Sequence, residues 1–184
     1  MRKDGIETKN KILTVCVRLF LEQGYKNTTI TQITEETGIS RGSFQNFFPT
    51  KDAVLLDLVK TMFGGQFGAA RSMVGDNLQP VYIYAVETAI QLTLTELNES
   101  LREIYIEAYT VPYIAEYIFL QTTAELKQIF GGNFPGYTEC DFYEMEIGTS
   151  GLMRNYMVKK CDIHFPLEHK VNRFLSAAMR VYNV

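Results

Sequence analysis

Residues 29–51 read TITQITEETGISRGSFQNFFPTK, and this stretch decides the fold. Thr29 and Gln32 have the spacing of a capping box, which predicts a helix that begins after Thr29 and runs to Gly38. Gly38 can supply the left-handed conformation of a tight corner, and Ser40 can cap the helix that follows. Two short helices joined by a glycine-containing turn form the unit that places its second helix in the DNA major groove.

Apolar residues at three- and four-residue intervals predict helices on both sides of this unit. One precedes it from Ile6 to Gly24, and another follows from Thr50 to about Phe67. Glycines and a proline between residues 64 and 80 predict a loosened helix end and then a linker. Further helices are predicted at about 81–97, 100–110, 112–130, 139–160 and 167–182. The sequence therefore predicts an all-α fold, with a three-helix head in residues 1–50 and a helical bundle in residues 51–184.

Composition and charge favour a protein with two unlike parts. The chain has 184 residues, 46% of them hydrophobic, and a formal net charge of −3. Residues 1–51 carry eight Lys/Arg against five Asp/Glu, whereas the rest carries ten against sixteen. A basic head on an acidic body indicates that the head meets an anionic partner. No apolar run has the length of a membrane span or a signal peptide, so we expect a cytoplasmic protein without membrane contact.

Few residues offer catalytic or metal-binding chemistry. Cys16, Cys140 and Cys161 are odd in number and lack CxxC spacing, so neither a disulfide framework nor a zinc site is expected. The histidines are His164 and His169, and neither lies in a recognisable catalytic pattern. We therefore expect no enzyme, no cofactor and no metal.

The run from Thr28 to Leu55, together with Phe20–Tyr25 before it, resembles the DNA-binding signature of the TetR family of transcriptional regulators. The likeness covers about residues 6–60, a third of the chain. It implies a homodimer whose C-terminal part binds a small ligand. It further implies that the ligand moves the helix around residues 52–67 and changes the separation of the two heads on the DNA.

The resemblance also assigns residues to DNA. Thr28 and Thr29 stand where that family touches the DNA backbone, and Lys51 matches a common phosphate contact. The residues that open or continue the recognition helix and should face base edges are Arg41, Gly42, Ser43, Gln45 and Asn46. The family usually has Tyr and His at the last two positions, so its aromatic phosphate contact is not expected here.

Tyrosines cluster in the first part of the predicted bundle. A tyrosine joins an apolar body to a polar tip, which suits a pocket for an amphipathic molecule, although core and interface tyrosines have the same pattern. The residues expected to line an effector cavity are Tyr84, Thr88, Gln91, Tyr105, Tyr109, Tyr113 and Tyr117.

The last two helices supply a candidate dimer surface, as the resemblance implies. Its residues are Phe142, Met145, Leu152, Met153, Tyr156, Leu175, Met179 and Tyr182. These side chains could instead face the core of their own chain.

These observations favour a sequence-specific DNA-binding regulator, a homodimeric repressor that a small, largely apolar effector releases from a palindromic operator. The alternative is a DNA-bound architectural or partner-binding protein without a small ligand. A closed, filled bundle core would favour the alternative, whereas a buried cavity would favour a sensor.

Overall fold

The computed structural model describes residues 3–75 and 77–184. Within these ranges the chain forms nine α-helices and no β-strand, which confirms the predicted all-α fold. The helices are α1 (Lys3–Gln23), α2 (Ile30–Thr37), α3 (Arg41–Phe47), α4 (Lys51–Val74), α5 (Val81–Leu97), α6 (Glu99–Ala108), α7 (Pro112–Phe130), α8 (Glu139–Val158) and α9 (Leu167–Val181).

Helices α1 to α3 pack around one apolar cluster. Phe20, Ile33 and Phe44 are fully buried in it, and Phe48 is nearly so. Gly24 follows α1 with φ of +89°, a left-handed conformation that favours glycine. The predicted glycine end of the first helix is therefore confirmed.

Helix α4 is longer than the sequence suggested. It continues through Gly64, Gly65 and Gly68 and ends at Gly75, whose φ is +69°. These three glycines lie on its exposed side, where an added Cβ would meet nothing within 4 Å. Phe67 and other buried side chains on the opposite side hold the helix together, so packing outweighs the low helix propensity of glycine. The prediction of a loosened helix end at residues 64–74 was wrong.

Helices α5 to α9 enclose a second cluster rich in aromatic rings. Phe130 and Tyr182 stack with centroids 4.3 Å apart, and Tyr84 meets both edge-on. At the other end of this bundle, the fully buried Lys170 pairs with Glu96. None of the described helices is long and apolar enough to cross a membrane.

The two clusters adjoin along α4, α6 and α7. Ile104 and Ala108 of α6, and Ile114 and Ile118 of α7, belong to the same cluster as the head. Because the apolar packing continues across residues 50 and 51, the division of the chain at that point stays a prediction.

Candidate nucleic-acid interface and internal cavity

The corner between α2 and α3 is fixed by local hydrogen bonds. The Thr29 hydroxyl accepts from Gln32 N at 3.2 Å, and Thr29 N donates to Gln32 Oε1 at 2.8 Å. Gly38 has φ of 67° and ψ of 24°, and the Ser40 hydroxyl accepts from Ser43 N at 3.1 Å. The predicted capping box, glycine corner and serine cap are thus confirmed, and together they set the angle at which α3 leaves the head.

Helix α3 has one buried face and one exposed face. Phe44 is fully buried, whereas Arg41, Gly42, Gln45 and Asn46 are exposed. Within the described residues, the side chains of Arg41, Gln45 and Asn46 make neither a hydrogen bond nor an ion pair. Their donors and acceptors are therefore available to an external partner, and Gln and Asn amides fit the adenine edge in the major groove. Ser43, which donates its backbone N–H to the cap, is half-buried.

Thr28 and Thr29 lie in different environments. Thr29 is exposed at the start of α2, where its side chain serves as the cap. Thr28 is only 1% exposed, and its hydroxyl donates to Gly24 O at 2.8 Å and accepts from Gln23 Nε2 at 3.2 Å. The Thr28 side chain therefore braces the α1–α2 turn, and the expected contact of this position with the DNA backbone stays a prediction.

Lys51 is largely engaged inside the protein. Its Nζ donates to Tyr25 O at 2.6 Å and to Thr28 O at 2.8 Å, and it lies 4.2 Å from the centroid of the Tyr25 ring. Burial lowers the pKa of this ammonium group. Since an ammonium group has three donors, one N–H remains for a phosphate. The contact between Lys51 and a phosphate stays a prediction. Lys51 also has a structural role inside the head, which the sequence did not indicate.

A narrow internal cavity lies among α4, α5, α7, α8 and α9. Its open volume is about 20 Å³, room for about one water molecule. Aromatic and apolar side chains form part of its wall, and polar side chains form the rest. The lining residues are Phe67, Tyr84, Glu87, Thr88, Gln91, Tyr109, Thr122, Glu146, Thr149, Ser150, Met153 and Phe174.

The cavity contains two carboxyl groups. Glu87 of α5 and Glu146 of α8 are each 4% exposed. Gln91 Nε2 donates to Glu87 Oε1, and the Thr149 hydroxyl donates to Glu146 Oε2 at 2.9 Å. Burial raises the pKa of Glu87 to about 7 and that of Glu146 to about 8, and the charge of Glu87 contributes to the second shift. Both groups hold a proton well above the pH at which an exposed glutamate loses it.

The structure brings together four of the seven residues predicted to line a cavity: Tyr84, Thr88, Gln91 and Tyr109. Tyr105 does not line it, but its hydroxyl accepts from Gln66 Nε2 of α4 at 2.9 Å.

Tyr113 and Tyr117 lie away from the cavity, so their assignment was wrong. Tyr113 is 48% exposed and is not among the residues that line the cavity. Tyr117 packs on the cluster of the head, under the ammonium group of Lys60. Pro112 begins a new helix, and neither tyrosine is among the buried residues of α7.

Sequence reasoning missed both carboxyl groups. Glu87 stands three residues after Tyr84 and four before Gln91, so all three share one face of α5. A charged residue on the face that carries the predicted pocket was therefore a readable signal. Glu146 gave no comparable signal, because only the packing of α8 against α5 brings it to the same cavity.

The predicted dimer surface divides in two. Phe142, Met153 and Tyr182 are buried inside their own chain, with 1%, 5% and 0% of their surface exposed. They cannot meet a second chain, so this part of the prediction was wrong. The other five residues are half-buried and partly accessible: Met145, Leu152, Tyr156, Leu175 and Met179.

Direct contacts connect the body to the head. Glu103 of α6 accepts from Lys26 N at 3.2 Å, just after the end of α1. The Tyr25 hydroxyl donates to Asp52 in the first turn of α4. Helix α4 thus reaches both the head and the cavity wall, and α6, which contacts the head, is followed directly by Tyr109 of that wall.

The N-terminal part of the chain matches a known protein family. Residues 12–58 match the model of the family described as "Bacterial regulatory proteins, tetR family". An uncharacterized HTH-type transcriptional regulator of Bacillus subtilis, YuxN, is 29% identical over 97 residues, which are 53% of this chain and 31% of that protein. The chain thus aligns with about a third of the length of this relative.

Solved structures match nearly the whole chain. RolR in complex with resorcinol superposes with a TM-score of 0.73 at 18% identity, covering 97% of this chain and 88% of the other. The Thermus thermophilus repressor FadR in complex with lauroyl-CoA gives a TM-score of 0.70 at 18% identity, covering 95% and 93%. Likeness at this level of identity concerns the fold.

Proposed function

Because the chain belongs to the TetR family of transcriptional regulators, we propose that it is a homodimeric repressor that binds a palindromic DNA operator and leaves it when a small molecule enters the bundle. The observation that carries this proposal is the exposed face of α3. Its Arg41, Gln45 and Asn46 project from a helix whose angle is fixed by two caps and a glycine corner.

The cavity supports the regulatory half of the proposal. An internal volume of about 20 Å³ is too small for an organic molecule, so an effector has to push the surrounding helices apart. Phe67 of α4 and Tyr109, which follows α6, form part of the wall, and both helices contact the head. An effector that binds the opened cavity better than the closed one would therefore shift the population of head positions.

A groove between α4 and α7 offers a path to this cavity. Phe63, Gly64 and Glu125 line the groove, whose volume is about 150 Å³. Phe67 and Thr122 line both the groove and the cavity, so they stand between the two. We propose that the effector passes these two side chains.

The homodimer is proposed from the exposed side of α8. Ile147 is 47% exposed and Val158 48%, and Gly148 and Gly151 lie on the same side. A Cβ added to either glycine would meet nothing within 4 Å, so packing inside the chain does not require glycine there. Close approach of a second copy across this side would explain both the glycines and the exposed apolar residues.

An architectural or partner-binding protein without a small ligand is the second candidate, and the small cavity volume favours it. The polar lining argues against it, because a permanently closed core loses stability by enclosing two carboxyl groups. In a ligand-binding site, by contrast, these carboxyl groups contact the bound ligand.

Binding of random DNA duplexes across a salt series tests the proposal. We expect enrichment of a palindromic site, with an affinity that falls steeply as salt rises, because phosphate contacts release counterions. The substitutions Gln45→Ala and Asn46→Ala should each weaken binding to that site by about tenfold or more. The control is Gln128→Ala in α7, an exposed glutamine far along the chain from the head, which should leave binding unchanged. Absence of any enriched sequence would contradict the proposed function.

A further inference from the structure

The polar groups around the cavity are unbalanced in charge. Two carboxyl groups, Glu87 and Glu146, line it, whereas no Lys or Arg does. Within the described part of the chain neither glutamate forms an ion pair. The buried cations Lys170 and Arg102 pair instead with Glu96, away from the cavity lining. Among the described lining residues, the two carboxyl groups therefore have no positively charged side chain beside them.

Hydrogen-bond acceptors also outnumber donors in the cavity. Gln91 Nε2 donates a hydrogen bond to Glu87 Oε1 and lies 3.5 Å from Gln66 Oε1. Gln91 Oε1 is buried with no partner among the described residues. Glu146 accepts from the Thr149 hydroxyl, which also lies 2.7 Å from the Tyr182 hydroxyl. Once ionised, each of these carboxyl groups can accept about four hydrogen bonds, and these contacts satisfy few of them.

Thr88 is a second buried group without a partner. It is fully buried and lines the cavity, yet within the described residues its Oγ1 makes no hydrogen bond. A helical threonine often donates to the carbonyl four residues earlier, as Thr123 does to Phe119 O at 2.7 Å. Buried polar atoms are rarely left in this condition unless water or a ligand satisfies them.

From these contacts we propose that the effector is a small organic cation, an amine or ammonium compound with an apolar body, whose positive group lies between Glu87 and Glu146. This inference rests on the proposed function and names the ligand class of the same cavity. The aromatic rings of Phe67, Tyr84 and Tyr109 surround the site and suit both the apolar body and a cation over a ring face. An amine would also supply donors to Gln91 Oε1 and Thr88 Oγ1.

Binding of a cation is coupled to loss of protons. The two glutamates hold protons up to about pH 7 and 8, and a nearby positive charge favours their ionised forms. The other titratable groups that face them are Tyr84, Tyr105, Tyr109 and Tyr182, which stay neutral because burial raises the pKa of each. The affinity for a cation should therefore rise as the pH increases from about 6 to 8, with protons released to the buffer.

Three probes of nearly equal size test the proposal on the full-length chain by isothermal titration calorimetry: 2-phenylethylammonium, 2-phenylethanol and phenylacetate. They place a positive, a neutral and a negative group on the same aromatic body. We expect the ammonium compound to bind at least about tenfold more tightly than the alcohol, and phenylacetate to bind most weakly. Calorimetry in buffers of different ionisation enthalpy should show proton release for the ammonium compound alone.

Single substitutions identify the groups responsible. Glu87→Gln and Glu146→Gln should each lower the affinity for the ammonium compound by about tenfold or more. The affinity for the alcohol should change little. The matched control is Glu144→Gln, an exposed glutamate on the same helix as Glu146, which should leave both affinities unchanged. Thermal unfolding of each variant checks that it folds, and the comparison of the three probes on the unmodified chain does not depend on any variant.

Three results would overturn the proposal: equal affinity for the alcohol and the ammonium compound, unchanged binding of the ammonium compound in both cavity variants, or no binding of it at millimolar concentration. Calorimetry uses no DNA, so its outcome is independent of the operator search. Cation binding without an enriched DNA site would count against the proposed regulator alone. If only neutral compounds release the protein from an enriched site, the proposal of a cationic effector is contradicted. The proposed DNA-binding regulator is then still supported.

Discussion

At the scale of single residues, Glu87 and Glu146 keep a proton in the folded protein at pH values where the unfolded chain has lost it. Their pKa values rise from the ordinary glutamate value of 4.5 to about 7 and about 8 because both side chains are buried. The folded state thus binds more protons than the unfolded state between about pH 4.5 and 8. We expect the free energy of unfolding to fall as the pH rises through this window, by on the order of 3 kcal/mol for each carboxyl group.

Chemical denaturation at a series of pH values measures this loss. The double variant with Glu87→Gln and Glu146→Gln cannot ionise at either position, so its free energy of unfolding should depend much less on pH over the window. Glu144→Gln should keep the slope of the unmodified chain. An equal slope in the double variant would show that the two carboxyl groups are not responsible.

The buried threonines Thr88 and Thr123 lead to different predictions for the free energy of unfolding. Its buried hydroxyl has no partner among the described residues, so Thr88→Val should raise the free energy of unfolding by about 1 kcal/mol. Thr123 is also buried, but its hydroxyl donates to Phe119 O. Thr123→Val should therefore give no such gain, or a loss of about 1 kcal/mol. Thermal and urea unfolding of both variants distinguish the cases, and a loss in Thr88→Val would mean that its hydroxyl has a partner in solution.

At the scale of helices, local signals were readable from sequence and packing signals were not. Thr29, Gln32, Gly38 and Ser40 act through hydrogen bonds and backbone angles within a few residues, so their spacing alone predicted the corner. The course of α4 past Phe67 could not be predicted in this way. Buried side chains such as Phe67 and Ala70, packed against the rest of the folded chain, make that helix continue.

The orientation of a helix about its axis is the part of the site that sequence reasoning predicted least well. Tyr113 and Tyr117 share one face of α7, as the spacing requires, but Tyr117 packs on the cluster of the head and Tyr113 is exposed. Tyr182 was expected at a dimer surface and is instead stacked on Phe130. Periodicity shows which residues share a face, whereas the neighbour of that face depends on how all nine helices pack.

At the scale of the whole molecule, the exposed side of α8 predicts how two copies associate. Replacing Ile147 with Glu places a charge where we propose that the second chain packs, so Ile147→Glu should shift the protein from dimer to monomer. The control is Ile163→Glu, since Ile163 is 90% exposed in the loop before α9 and should tolerate a charge. Analytical ultracentrifugation gives both masses. A dimer in the Ile147→Glu protein at micromolar concentration would place the interface elsewhere.

The unbroken course of α4 also makes it a lever arm. Lys51 beside the head and Phe67 at the cavity belong to one helix, and the sixteen residue-to-residue steps from one to the other correspond to about 24 Å of rise. A tilt of about 5° around Phe67 would move the Lys51 end by about 2 Å. In a two-fold dimer both heads would move, so their separation would no longer match the distance of about 34 Å between half-sites on DNA. A small tilt of α4 at a cavity that holds about one water molecule would thus move the heads far enough to mismatch the operator.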